Sequence, residues 1–407
     1  MGISAENGGS RAGQPPGAAA AAEFPLAGIF DPIVPVDRGP VRHMDAIESG
    51  AMSSLYSVVH EDGTRRIFKA LDNVPEKTVT LLGKYGLRLG DVAADHGQKI
   101  IRRNVASFRL ATYFESLAPR PDRARVAVVA AEMAIVRDMP GVSMEIAEGN
   151  PLMLCDFLQK EQFQPRAEAF KEFWAKYHLK KETEEISKEE AAKEKEEMNK
   201  KFREFLWKNY RISRAKKDVD RGGYEIRRPY FALRILEKTP PTREEMVQFV
   251  GHMGNLQLQD MVTGQGDRHC KNTTTERGFD GDACFPDNDE ISRFPGQKYI
   301  KLPLQKIPFI TEREAAIGRA DPATVRRILE VCGFEGLEIS MTLCRLERVK
   351  RTIAELRTRN GVLAEWENLL RPEISEEFTP ENSYACRYVG FKVKNLQEFF
   401  TKVAWPP

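Results

Sequence analysis

Residues 266–272, GDRHCKN, and the stretch that continues them over 273–290, TTTERGFDGDACFPDNDE, decide how this chain is read. Asp267 and Asn272 lie five positions apart on a loop and can point at one spot. A carboxylate at that place can orient or deprotonate a hydroxyl, while the amide oxygen ligates Mg²⁺ on a nucleotide. Such an ion also wants a carboxylate from chain that runs back alongside. The segment after Asn272 reads as a hairpin: a Thr-rich strand, a Gly/Asp turn and a second strand ending at Asp287. Asp280 comes eight residues after Asn272, too few for two four-residue strands and a turn. Asp287 comes fifteen after it and fits a rise of ~3.3 Å per strand residue. The spacing therefore predicts Asp287 as the chief metal carboxylate and Asp289 as a second ligand. Asp280 and Asp282 read as turn residues, with Asp280 in FDGD as the rival.

Phosphates bound beside that loop need a cation on a neighbouring sheet. Residues 50–59 (GAMSSLYSVV) and 65–71 (RRIFKAL), joined through Asp62-Gly63, have the pattern of a β-hairpin. Lys69 follows two apolar residues on its second strand. Gly50 and the small residues after it let backbone amides approach a phosphate. Ile101, Val105, Phe108 and Thr112, at spacings of three and four, predict an amphipathic helix over 98–117. Two further strands follow around the turn at 137–141, the second ending at Gly149.

Residues 165–218 form a charged, helix-favouring insertion without a sustained heptad seam, read as a long solvated helix or helical hairpin. Trp174, Tyr177, Trp207 and Tyr210 are placed to anchor its ends. Beyond it, helices are expected over 242–262, with Thr242 and Glu245 as a capping box, over 312–333 and over 340–370. The expected organisation is α+β: a disordered tail over 1–27, a sheet-and-helix unit over 28–150, and a helical unit over 151–407 that carries the loop at 263–290.

Composition narrows the function. Net charge is +2 in 407 residues, so no whole-protein field argues for nucleic acid. Six widely spaced cysteines without a CxxC pair point to reduced thiols and a cytosolic setting, and Cys270 and Cys284 read as small hydrophobes. No apolar run approaches the ~20 residues of a membrane span. No part of the sequence specifies an oligomeric state.

The loop GDRHCKN resembles the catalytic loop of phosphatidylinositol kinases and their protein-kinase relatives, G-D-R-H-x-x-N, and the D-x-H-x-K-N of HipA-type kinases. PDNDEISRF is similar to the metal motif of atypical kinases of the actin-fragmin and secretory-pathway types. LYSVVHEDGTRRIFKAL resembles their lysine strand, RRNVASFRLATYF their following helix, and PGVSMEIAEG their last sheet strand and hinge. The resemblance covers roughly 45–150 and 240–310. It implies a bilobal protein-kinase-like fold, with ATP and Mg²⁺ (or Mn²⁺) as cofactors. Lys69 would then bind the α/β-phosphates and Asp267 would be the catalytic base. Asn272 and Asp287 would hold the metal, and the backbone of Glu145, Ile146 and Ala147 would receive adenine. Arg268 and His269 occupy positions that structure the loop or steady the γ-phosphate. Two departures stand out. Asn104 lies where the helix pattern has Glu, Glu115 and Asp95 being substitutes only on a redrawn alignment, and Pro286 precedes Asp287 in place of an apolar strand residue.

The reading that follows is a phosphotransferase acting on a protein Ser/Thr hydroxyl. Its alternatives are a phosphoinositide kinase, for which Lys298, Lys301 and Lys306 are a sparse basic run, and a pseudokinase or a kinase-fold AMP or aminoacyl transferase. The unstructured head and the charged insertion would suit a bacterial effector delivered into a host cell without a cleaved signal.

Overall fold

A computed structural model describes residues 28–47, 54–70, 89–161, 187–218, 222–266, 268–286 and 306–403, with residues 26 and 175 and, over 89–98, the backbone alone. The chain is α+β. A five-stranded antiparallel sheet has the order β1-β2-β3-β5-β4, built from β1 (Val41–Ala46), β2 (Ser54–His60), β3 (Arg65–Ala70), β4 (Ala131–Val136) and β5 (Met139–Glu145). The expected hairpin is β2–β3: Val59 pairs Arg65 and Leu55 pairs Lys69. Its turn is held by Asp62, whose carboxylate accepts from the backbone N–H and the hydroxyl of Thr64. The β4–β5 turn is tighter than the expected one. Arg137 and Asp138 both take positive φ, 48° and 65°, the paired left-handed geometry that matches strand twist in a two-residue hairpin. β5 lies beside β3 with Lys69 opposite Val142. A Cβ on Gly141 would stand 2.3 Å from the Lys69 carbonyl oxygen, so only glycine lets β3 and β5 come together here.

Helix α1 (Leu89–Ser116) runs longer than the 98–117 read from periodicity. Ile101, Val105, Leu110 and Phe114 are buried on it, in one core with Val142 and Met144 of β5 and with Leu258 and Val262 of α4 (Arg243–Thr263). α4 starts at the Thr242–Glu245 capping box and ends at Gly264 in the left-handed region. It is buried on all sides, as a central helix must be: its other face sets Phe249 4.8 Å from the ring of Phe231 in α3 (Tyr230–Leu236). Phe399 of the C-terminal helix Leu396–Val403 completes that aromatic cluster.

Three expectations need correction. The helical unit after 150 contains a second sheet, order β6-β8-β7, from β6 (Met153–Gln159), β7 (Arg214–Asp218) and β8 (Gly223–Pro229). Within the insertion α2 (Lys188–Tyr210) is a helix and 214–218 is strand. The strands were hidden because this sheet is mostly solvated. In β8 Ile226 is buried against Leu206 and Ile212, but Glu225, Arg227 and Arg228 beside it break the apolar pattern that would have marked a strand. Trp207 does anchor α2, 5.9 Å from the ring of Phe391. Second, 312–333 is not one helix. Asp321 caps α5 (Pro322–Val331) by accepting from the N–H groups of Ala323 and Thr324, with proline at the first helical position. Third, α6 (Gly336–Thr358) stops well before 370, at a turn through Asn360 with φ 56°. Residues 310–311 and 362–363 pair as two short parallel strands.

Glu314, 4% exposed, accepts from the Thr311 N–H at 2.6 Å. Burial pushes its carboxyl up to about 8, and the Thr311 bonds offset only part of that. The folded chain therefore keeps a proton that the unfolded chain has lost between about pH 4.5 and 8, and stability falls as pH rises through that window. Melting curves should show wild type losing stability from pH 5 to 8.5 relative to Glu314→Gln, at up to ~1.4 kcal/mol per pH unit. Parallel curves for the two proteins would sink this assignment.

Candidate functional site

The loop begins where α4 ends. Gly264, at φ 68°, turns the chain, since a Cβ there would sit 2.9 Å from Arg345 and Pro286. Beyond it Arg268 folds back under the loop. Its Nε and Nη2 donate to the two carboxylate oxygens of Asp260 at 2.8 and 2.9 Å, with both side chains 2% exposed. Its Nη1 donates to the carbonyls of Asn272 (3.0 Å) and Phe279 (2.7 Å). One guanidinium thus ties the end of α4 to both arms of the following turn. Burial acts to lower the Arg268 pKa, but the Asp260 charge outweighs it and the net shift is upward; for Asp260 burial wins and raises the carboxyl. Arg268 accordingly builds the loop. His269 is likewise local: its N–H donates to Asn272 Oδ1 (3.0 Å), and its Nδ1 accepts from the Lys271 N–H (3.1 Å).

Asp280, eight residues after Asn272, reaches the large sheet for a geometric reason. The hairpin after Asn272 is far shorter than two four-residue strands. Thr273 bridges Gly278, the Thr274 N–H donates to the Arg277 carbonyl (2.8 Å), and the Phe279 N–H donates to the Asn272 carbonyl (3.0 Å). Thr274 Oγ closes the turn by accepting from the Arg277 N–H, the local hydroxyl-to-backbone bond that Thr favours in turns. This small hairpin is stitched to the chain on either side of the β4–β5 hairpin. The Gly278 N–H donates to the Ala127 carbonyl and the Leu152 N–H to the Thr273 carbonyl. The next residue, Asp280, then lies directly beneath the large sheet.

There it meets Lys69. The ammonium, on a side chain 5% exposed, donates to Asp280 Oδ1 at 2.6 Å and to Asp282 Oδ1 at 2.9 Å. Asp280 holds φ 63°, ψ 68°, a left-handed conformation that aspartate tolerates better than most residues and that concentrates at functional sites. Burial disfavours the Lys69 charge, but the two carboxylates more than offset it and raise its pKa. Burial likewise works against ionised Asp280, and Lys69 prevails, holding it below the usual carboxylate range. Asp282 goes the other way, to about 6, through burial and then the like charge of Asp280.

Asn104, in the helix position expected to carry an acid, is 5% exposed and fully engaged with the same loop. Its Nδ2 donates to Asp282 Oδ1 (2.7 Å) and to the Ile100 carbonyl (2.9 Å), and its Oδ1 accepts from the Gly281 N–H (2.9 Å). Glu115 is not a substitute partner for Lys69, being bonded to Arg313 and to the Asp122 N–H. Of the residues expected to receive adenine, Glu145 donates its N–H to the Ala130 carbonyl, Ile146 is half exposed, and Ala147 packs against the main core. Cys284 is buried and burial pushes its thiol up to about 11, an inert side chain as expected. Gly50, Asp267, Asp287, Asp289, Asp95, Lys298 and Lys301 lie outside the described residues, or in Asp95's case have only their backbone described.

No known family, no curated protein and no solved structure matches this chain. The chemistry of the site must be argued from its own groups. Lys69 and Asp280 come together, and the Asn272 backbone carbonyl accepts from the N–H of Phe279, the residue before Asp280. Among the described residues no three His, Cys, Asp or Glu side chains converge as a metal cage. Mg²⁺ on a nucleotide does not need one, because phosphates and water complete its shell around one or two carboxylates. The Asp280 carboxylate, 36% exposed on one side and bound to buried Lys69 on the other, fits that role. Asn272, 2% exposed, is turned into the loop, its Oδ1 accepting from the His269 N–H. Sequence reasoning missed Asp282 and Asp260. The Asp-Gly-Asp of FDGD was the available signal for the first. The second is one acid on a buried helix and gave no signal at all.

Proposed function

We propose that this protein is an ATP-dependent phosphotransferase acting on a hydroxyl of a protein substrate, with a bilobal kinase-like arrangement in which the large sheet and the α4 loop close on Mg-ATP. The observation that carries the proposal is the 2.6 Å contact between Lys69 and Asp280, groups 211 residues apart. A sheet lysine and a loop carboxylate just after an Asn-bearing loop are the pair that phosphoryl transfer needs, one for the nucleotide phosphates and one for the metal. That contact also weighs against the pseudokinase alternative that Asn104 raises, because Lys69 keeps acidic partners without a helix acid.

In this reading Lys69 binds the α/β-phosphates. Asp280 and Asn272 would hold Mg²⁺, which would supply neutralisation of the charge that develops on the transferring group. Asp267 takes the proton as the substrate hydroxyl oxygen bonds to the γ-phosphorus, the bond from that phosphorus to the β–γ bridging oxygen breaks, and ADP leaves. Arg268 acts on the chemistry only through the backbone it holds, which Tyr388 reinforces by donating its hydroxyl to the Arg268 carbonyl at 2.7 Å.

ADP formation by the purified chain with Mg-ATP should increase on adding a cell protein extract and stay at background on adding phosphoinositide vesicles. Stimulation by the vesicles alone would replace the protein substrate with a lipid one.

A further inference from the structure

We infer that Asp282, held in place by Asn104, positions Lys69 for the phosphates, so that a carboxylate on the loop does what a carboxylate on helix α1 would otherwise do. The inference rests on the phosphotransferase reading and assigns it a residue.

Three distances define the arrangement. One oxygen, Asp282 Oδ1, accepts from both Lys69 Nζ (2.9 Å) and Asn104 Nδ2 (2.7 Å). The helix therefore reaches the lysine through a single bridging atom. Asn104 completes its hold by accepting from the Gly281 N–H, and Arg103, next to it on α1, donates Nη1 to the Asp282 carbonyl at 2.9 Å. Two consecutive helix residues thus grip the Asp280-Gly281-Asp282 turn by backbone and side chain together.

A glutamate at 104 would leave two acids competing with Asp280 for one ammonium. An amide avoids that: it donates to the carboxylate that the loop already supplies and adds no charge. Asp280 is the more exposed of the two carboxylates, 36% against 21% for Asp282. This division leaves Asp280 with an open side for the metal while Asp282 keeps Lys69 in place. The lysine's position then depends on the loop being folded against α1, which couples the sheet, the helix and the loop in one contact.

Two measurements on the full chain test this. In a double-mutant cycle on thermal stability, Lys69→Met and Asp282→Asn should be non-additive, the double variant losing less than the sum of the single losses. Additive losses would overturn the contact itself. In steady-state kinetics Asp282→Asn should lower kcat at least tenfold, and adding Asn104→Glu should recover most of the loss, because the longer acid on α1 reaches the same ammonium. Without recovery, Asp282 is a structural turn residue or a metal ligand and the positioning role is wrong. If the stability coupling appears but wild type transfers no phosphate, the phosphotransferase reading and this role fall together, and the ion pair alone remains.

Discussion

Asp280→Asn is expected to reduce phosphoryl transfer by about 10³-fold, while Asp287→Asn falls far less. The figure corresponds to ~4 kcal/mol of lost transition-state stabilisation, the scale of removing one charged group that neutralises a transferring phosphoryl. Asp280 is the carboxylate that bridges buried Lys69 and the open side of the site. Asparagine preserves its shape and its left-handed backbone, so the turn should survive. Lys69 also keeps one carboxylate, Asp282, so no buried cation is left unpaired. The loss should consequently appear in kcat, with an unchanged melting curve. Single-turnover transfer of labelled γ-phosphate, run beside a thermal melt, checks both halves. An Asp280→Asn protein with near wild-type transfer, paired with an inactive Asp287→Asn, would return the metal role to Asp287.

The second large effect is on folding. Asp260→Ala should destabilise the chain by roughly 3–5 kcal/mol, because it leaves the Arg268 guanidinium buried and uncompensated. The pair is bidentate and 2% exposed on both sides, so solvent cannot take over either partner. Asp260→Ala with Arg268→Leu should lose less than Asp260→Ala alone, since no buried charge then remains. Denaturant midpoints at constant slope measure this. If the single variant matches wild type, the loop is not held in the way described.

The parts of the fold that were legible in the sequence have local signatures. β2 and β3 carry a turn whose Asp62 side chain holds it, and α4 carries both halves of a capping box at Thr242 and Glu245. Lys69 and Asn272 could be singled out because each sits in a short motif. What escaped depends on contacts made across the chain. The 272–279 hairpin is short because residues 127 and 152 pair with it, so strand-length arithmetic within the segment could not place Asp280. The β6-β8-β7 sheet is solvated and shows no alternation. Asn104 looked like a defect while only the helix was considered. Beside the Gly281 N–H and Asp282 it is a fitted residue whose donor and acceptor are both used.

The proposed function stands or falls on transfer of the γ-phosphoryl group at the site built by Lys69 and Asp280. Parallel incubations of the purified chain with protein substrate, Mg²⁺ and ATP labelled at either the α- or the γ-phosphate test it most directly, with Lys69→Met as the control. The expected result is label on protein from the γ-position only, absent from the variant. Label from the α-position, or none from either with a folded wild-type protein, would contradict it.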